Sequence, residues 1–187
     1  MKKYIRIVAG QYRRTRIEVP DAPGLRPTPD RVRETLFNWL AHLWDHDFTQ
    51  KQVLDLFAGS GALGFEAASR GASFVLMVES NPLAVAQLRK LRDKLQATQI
   101  RIHAGDAKSV LSRGSVSRFD LILLDPPFGQ GWFPDLIVSA SHLLTEDGLI
   151  YAENDSEIIA PEGFAALRHG RAGGVHYHLF HRIATQT

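Results

Sequence analysis

Val53-Leu54-Asp55-Leu56-Phe57-Ala58-Gly59-Ser60-Gly61-Ala62-Leu63-Gly64 is the stretch that decides the fold. An apolar run ends in a carboxylate, turns through glycines and enters helix-forming sequence. Gly59, Gly61 and Gly64 satisfy G-x-G-x-x-G, and Glu79 follows Gly59 by 20 residues. Glycines let the backbone approach a nucleotide, and the later acid suits ribose hydroxyls. Taken alone, the constellation serves a nicotinamide dinucleotide and S-adenosylmethionine equally well.

From residue 52 onward, strands and helices alternate. The pattern predicts strands at Val53–Phe57, Phe74–Val78, Ile100–His103, Leu121–Leu124 and Leu149–Ala152. Helices are expected over Ala62–Arg70, Pro82–Leu95, Ala107–Leu111 and Phe133–Leu144, with two more strands near Ala165–His169 and Val175–His181. Uniformly apolar strands joined by helices mean a mostly parallel sheet covered on both faces. Ligands of such sheets sit outside the carboxyl ends of the strands. The expected architecture is α/β, a seven-stranded sheet preceded by a small β-hairpin over Tyr4–Ala9 and Thr15–Val19. Pro20, Pro23, Pro27 and Pro29 forbid a regular helix between hairpin and body. A helix with Asp30 as N-cap and Val32, Leu36, Phe37 and Leu40 on one face follows.

Composition narrows the function classes. The chain has 187 residues, 44% hydrophobic and 22% charged, which fits a folded domain rather than a disordered one. It has no cysteine, which removes disulfides, thiolate metal sites and cysteine nucleophiles. The basic start lacks a following apolar stretch, and no run approaches the ~20 residues needed to span a bilayer. A soluble cytoplasmic protein without membrane partners is expected. The net charge of +2 hides an asymmetry: residues 1–33 carry +6 and the remainder −4. A basic arm rich in arginine suits a phosphate-bearing polymer.

Three features favour the methyl donor over the dinucleotide. Asp55 at a strand end would repel a pyrophosphate but can help hold a cationic ammonium. Asp106, in Ala104-Gly105-Asp106-Ala107, is placed to accept from an adenine amino group. The third feature is Asp125-Pro126-Pro127-Phe128, after the fourth strand of the alternating region. Prolines there remove backbone donors and leave a carboxylate, carbonyl acceptors and an aromatic face. That set suits an exocyclic amine on a flat base. The ring would stack on Phe128 while Asp125 and the Pro126 carbonyl accept its N–H bonds.

With these residues in place, the chain resembles class I S-adenosylmethionine-dependent methyltransferases of Rossmann-like fold. In particular it resembles the bacterial RsmD-type family that methylates guanine N2 in small-subunit (16S) ribosomal RNA. The most family-specific block is Leu25-Arg26-Pro27-Thr28-Pro29-Asp30-Arg31-Val32-Arg33-Glu34-Thr35-Leu36-Phe37-Asn38. Arg6-Ile7-Val8-Ala9-Gly10 in the arm, the glycine loop and the Asp-Pro-Pro-Phe turn complete the match. The resemblance implies Glu79 on ribose, Asp106 on adenine, and Asp55 with the backbone of Gly59, Ser60 and Gly61 near the methionine part, with Ala58 and Ala107 also at the cofactor. It implies Asp125, Pro126, Pro127 and Phe128 at the target amine, and Arg6, Arg13, Arg14, Arg26, Arg31 and Arg33 at the RNA entrance. The expected division is an RNA-contacting arm over residues 1–29 and a methyltransferase domain over residues 30–187. The partner is then small-subunit ribosomal RNA, within a ribosomal particle, met by a monomeric enzyme. The Asp-Pro-Pro-Phe turn also occurs in DNA adenine-N6 enzymes, and a non-catalytic RNA-binding assembly factor would share the basic arm. An oxidoreductase is the remaining alternative.

Some residues tempt toward other chemistry. His176, His178 and Phe180 share one strand face, with Val175, Tyr177 and Leu179 on the other. No matched carboxylate accompanies these histidines in sequence, and methyl transfer needs no metal, so no metal is assigned. Trp39 and Trp44 are expected to pack in the core, whereas Trp132 lies close enough to Phe128 to line the base pocket.

Overall fold

A computed structural model describes residues 3–20, 28–113 and 118–183. Arg26, Pro23 and Pro27 lie outside the described residues. Strands β1 (Lys3–Arg6) and β2 (Arg16–Val19) form an antiparallel pair, followed by helix α1 (Asp30–Leu43). The body then alternates as predicted: β3 (Gln52–Asp55), α2 (Ala62–Ser69), β4 (Phe74–Glu79), α3 (Pro82–Leu95), β5 (Ile100–Ala104) and α4 (Ala107–Arg113). It continues with β6 (Phe119–Leu124), α5 (Asp135–Ser141), β7 (Leu144–Asn154), β8 (Phe164–Ala172) and β9 (Val175–Arg182).

Seven strands form one sheet in the order β5-β4-β3-β6-β7-β9-β8. The five strands from β5 to β7 are parallel, and β9 is inserted antiparallel between β7 and β8. Period-two alternation sends successive residues to two cores. Val53, Leu121, Leu123 and Tyr151 meet α1, α2 and α3 on one face. Leu54, Ile122, Leu124 and Ile150 meet α4 and α5 on the other. The α/β class, the seven strands, the coverage of both faces and the hairpin are as predicted.

Several boundaries differ from expectation, each for a local reason. β7 begins at Leu144 rather than Leu149, because the polar Thr145-Glu146-Asp147-Gly148 segment conceals a strand whose register shifts against β6. This strand takes the end of the expected helix, and Pro134, which has no N–H to give, precedes its start, leaving α5 at Asp135–Ser141. Pro29, not Asp30, occupies the cap position of α1, and no side chain caps it. Trp39 packs 5.5 Å from the Tyr177 ring and Trp44 meets Phe48 edge-on at 5.0 Å, so both serve packing. No helix among the described residues is long and apolar enough to cross a membrane.

The hairpin is bolted to α2 by polar contacts that the sequence did not announce. Ile7, Tyr12 and Ile17 join the core beside α1. The fully buried Glu66 accepts from the Val8 and Ala9 amides at 2.8 and 3.1 Å. Ser69 Oγ accepts from the Tyr12 amide at 2.9 Å and donates to the Ala9 carbonyl. Gly10 passes so close to α2 that a Cβ there would lie 1.8 Å from the Ser69 carbonyl oxygen, and its φ is +80°. Arg33 contradicts its expected role. It is fully buried, donates to the Arg6 carbonyl at 2.9 Å and pairs with Asp30 at 2.5 Å and with Glu66 at 3.7 Å. A guanidinium without solvent access cannot reach RNA; it neutralises the carboxylate that holds the hairpin.

Glu66 also pairs with Arg70 at 2.9 Å, so removing Arg33 leaves that carboxylate one cation but strips the Arg6 carbonyl of its buried donor and empties the space the guanidinium filled. Arg33→Ala is therefore expected to cost roughly 1–3 kcal/mol in urea denaturation. Hydrogen exchange at Val8 and Ala9 should accelerate in parallel, and unchanged exchange there would refute the anchoring role.

Candidate active site

The strand order reverses between β3 and β6, and the ends of these neighbours open into a cavity of about 1000 Å³. Asp55 closes β3 and pairs in register with Leu123, so Asp125 lies just past the end of the adjacent strand. Loop 57–62 forms one wall, the Asp125–Phe128 turn another, and Glu79 and Asp106 line the side toward β4 and β5. Seven of the eight residues expected at the cofactor, all but Gly61, and all four of the Asp-Pro-Pro-Phe turn line this one cavity.

The three loop glycines do different work. Gly59 and Gly61 have φ of +53° and +81°, a region in which a side chain is strained. Gly61 also caps α2, and a Cβ on it would meet Leu88 at 2.5 Å. It thus shapes the loop from behind. Gly64 is where helix and sheet touch: a Cβ there would stand 2.5 Å from Met77 Cε and 3.1 Å from Asp55 Oδ2.

The carboxylates are held by backbone amides. Glu79 accepts from Gly59 N–H at 2.8 Å and from Asn81 N–H at 2.7 Å, which ties the loop to the end of β4. Each oxygen keeps a lone pair for a further donor. Asp106 accepts from the Ser109 amide at 2.9 Å, and these hydrogen bonds hold its exposed carboxyl below the usual range. Asp55 accepts from Gly64 N–H at 3.0 Å. Burial pushes its carboxyl up to about 7, with the neighbouring Glu79 and Glu153 charges adding to the effect.

Glu153, Thr28 and Tyr151 were not singled out from sequence. Glu153 is buried in the cavity wall near the end of β7, where it accepts from the Thr28 hydroxyl and the Tyr151 phenol, each at 2.9 Å. Burial pushes it up to about 7 as well. Thr28 also lies 3.4 Å from Asp125 Oδ2, so one hydroxyl proton stands between two carboxyls. A signal for Glu153 existed. It is an acid at the carboxyl end of an apolar strand, as are Asp55, Glu79 and Asp125.

Trp132 lines the cavity, meets Phe57 edge-on at 5.3 Å and lies beneath Lys108 Nζ at 5.3 Å. Its buried indole N–H has no hydrogen-bond partner among the described residues. The arm reaches the rim through Val19, Thr28 and Pro29. Arg6, Arg13, Arg14 and Arg31 are exposed, unlike Arg33. Arg6 stands directly across from Arg16, a like-charge pair that destabilises the hairpin unless an anion lies against it.

The cavity is thus lined by five carboxyl groups, Asp55, Glu79, Asp106, Asp125 and Glu153, with Lys108 at its edge. Residues 5–181 match the family described as Conserved hypothetical protein 95. This chain belongs to that family. Its relatives include ribosomal RNA small subunit methyltransferase D of Escherichia coli, 40% identical over 96% of this chain and 91% of that protein. The Haemophilus influenzae protein of the same name is 36% identical over 96% and 94%. The solved structure of the methyltransferase yhhF from Escherichia coli superposes with a TM-score of 0.85 at 39% identity. That match covers 98% of this chain and all of the other.

Raised carboxyls have a signed consequence. Asp55 and Glu153 bind protons more tightly folded than unfolded. Their contribution to stability is present below the ordinary carboxylate range and is lost as pH rises through about 7. Asp55→Asn keeps an acceptor for Gly64, and should gain about 1–2 kcal/mol of stability at pH 8 with little change at pH 4. Equal effects at both pH values, measured by urea titration, would contradict the assignment.

Proposed function

We propose that this protein transfers a methyl group from S-adenosylmethionine to the exocyclic N2 of a guanine in small-subunit ribosomal RNA. One observation carries the reading. The glycine loop with its acids and the Asp125–Phe128 turn, at adjacent strand ends, face a single cavity large enough for a nucleoside cofactor and a base. When bound, S-adenosylmethionine supplies an electrophilic methyl on a cationic sulfonium.

Glu79 accepts from the ribose hydroxyls and Asp106 from the adenine amine, while Ala58 and Ala107 complete the cofactor's surroundings. Asp55 and the loop backbone serve the methionine portion, where an ammonium offsets the carboxylates clustered there. Across the cavity the half-buried Phe128 offers its ring to a base. Asp125 and the Pro126 carbonyl accept the two amine N–H bonds and aim the nitrogen. As nitrogen gains the methyl, its surplus proton leaves toward Asp125. A conjugated amine is a weak nucleophile, so alignment and fixed charges supply much of the rate. A paired guanine has to leave its stack to reach this cavity, which favours an accessible base.

The arm over residues 1–29 supplies RNA contacts through Arg6, Arg13, Arg14 and Arg26, joined by Arg31 at the start of α1, and residues 30–187 carry the transfer chemistry. With little surface given to reading sequence, the substrate is RNA already shaped in a ribosomal particle, met by a monomer in the cytoplasm.

Incubation with labelled S-adenosylmethionine and either free ribosomal RNA or partly assembled small subunits, followed by nucleoside digestion, tests the reading. N2-methylguanosine is expected, with the particle as the better substrate. N6-methyladenosine would overturn the choice of base, and no label despite cofactor binding would overturn the enzyme. Asp125→Ala should lower transfer by about 100-fold or more while leaving cofactor affinity largely intact. Replacing Arg13 and Arg14 with alanine should reduce the salt dependence of RNA binding by roughly one slope unit for each phosphate left without its arginine. Binding unchanged across a salt series would remove the arm from the interface.

A further inference from the structure

The β8–β9 edge of the sheet gathers imidazoles around a carboxylate. His169 on β8 stands directly across from His178 on β9, with ring centroids 4.3 Å apart and planes within 11°. Glu157 arrives from the segment after β7. One ligand-capable atom from each of Glu157, His169 and His178 lies within 4.8 Å of the others. His178 is 2% exposed, and neither of its ring nitrogens has a hydrogen-bond partner among the described residues. Buried polar atoms are ordinarily satisfied, so a buried imidazole with two unsatisfied nitrogens calls for an explanation.

This cluster is separate from the cavity wall. His178 pairs with Ala152 on β7, and Phe180 with Ile150, so these side chains share the face covered by α5. Glu153 pairs with Tyr177, on the opposite face.

We propose that Glu157, His169 and His178 bind one divalent transition-metal ion of the zinc class. Two imidazoles and one carboxylate, in a chain without cysteine, suit zinc and its neighbours. Magnesium and calcium prefer all-oxygen sets. Three protein ligands leave a fourth position for water. Metal–ligand bonds of about 2.0–2.1 Å place tetrahedral ligand atoms roughly 3.3 Å apart, so the cluster contracts on binding. His178 stays fixed against Phe180, whose ring lies parallel at 5.4 Å. Parallel rings cannot both aim in-plane lone pairs at one point, so the exposed His169 turns out of the stack and Glu157 swings in. The ion would clip the segment after β7 to the β8–β9 hairpin. The partners of His178 come from a facing strand and from the segment after β7, which is why no metal set is visible in the histidine spacing of β9 alone.

The full chain, free of any polyhistidine tag and stripped with a chelator, is titrated with zinc and separately with cobalt(II). One equivalent of zinc should bind and raise Tm, and cobalt should give the intense visible absorption of a four-coordinate site. His169→Ala and Glu157→Gln alter exposed side chains and are expected to fold normally, as circular dichroism checks. Each should weaken zinc binding at least tenfold and abolish the Tm rise, whereas His46→Ala should change neither. Absence of binding, or zinc affinity unchanged in either variant, would overturn the proposal.

Discussion

A parallel sheet that grows outward from β3 on one side and then returns to its other side cannot cover the gap between the two departing loops. Here the chain runs from β3 to β4 and β5, and comes back as β6. The connections after β3 and β6 diverge, and the carboxyl ends of adjacent strands open on common space. Everything chemical in the cavity follows from that geometry. Asp55 and Asp125 become neighbours although 69 positions separate them in sequence. Shorten either strand by one residue, and its terminal acid turns to the opposite face.

Charge is the second constraint. The cavity gathers Asp55, Glu79, Asp106, Asp125 and Glu153, with Lys108 as the cation on its lining among the described residues. Two of these acids are buried deeply enough to hold protons near neutrality. A site so furnished is poor at receiving phosphate and well suited to a ligand carrying positive charge. Asp55 and Glu153 are each only 2% exposed, so their charges are weakly screened where such a ligand would meet them. The exposed Asp106, by contrast, stays ionised and serves as a plain acceptor.

Much of this was legible in the residues. Periodicity and glycine placement gave the sheet, its helices and the acids at four strand ends, because these depend on local chemistry and on alternation. What escaped was long-range. Glu66 looks like any helical glutamate, yet the fold buries it under a hairpin 57 residues away in sequence. Arg33 lies in an arginine-rich block and shares the composition of a phosphate-binding stretch; only its position beneath the hairpin separates it from Arg31. Thr28 belongs to the most family-specific segment, but its partner Glu153 lies 125 positions further on. Glu157 was invisible as a partner for His178 for the same reason. Side chains that meet across the sheet leave no spacing in the sequence.

The seat of the hairpin has an evolutionary corollary. Only glycine fits at position 10, because a Cβ there would strike the Ser69 carbonyl of α2, and Ile7 and Tyr12 rest on the same core as the sheet. A recombination event that exchanged the arm alone would deliver a side chain or a backbone turn that α2 cannot accept. Glu66, Ser69 and Arg33 would have to travel with it, although they lie in what sequence order assigns to another part. Change in the arm is thus confined to its outward positions, while its inner face is tied to the packing of the core.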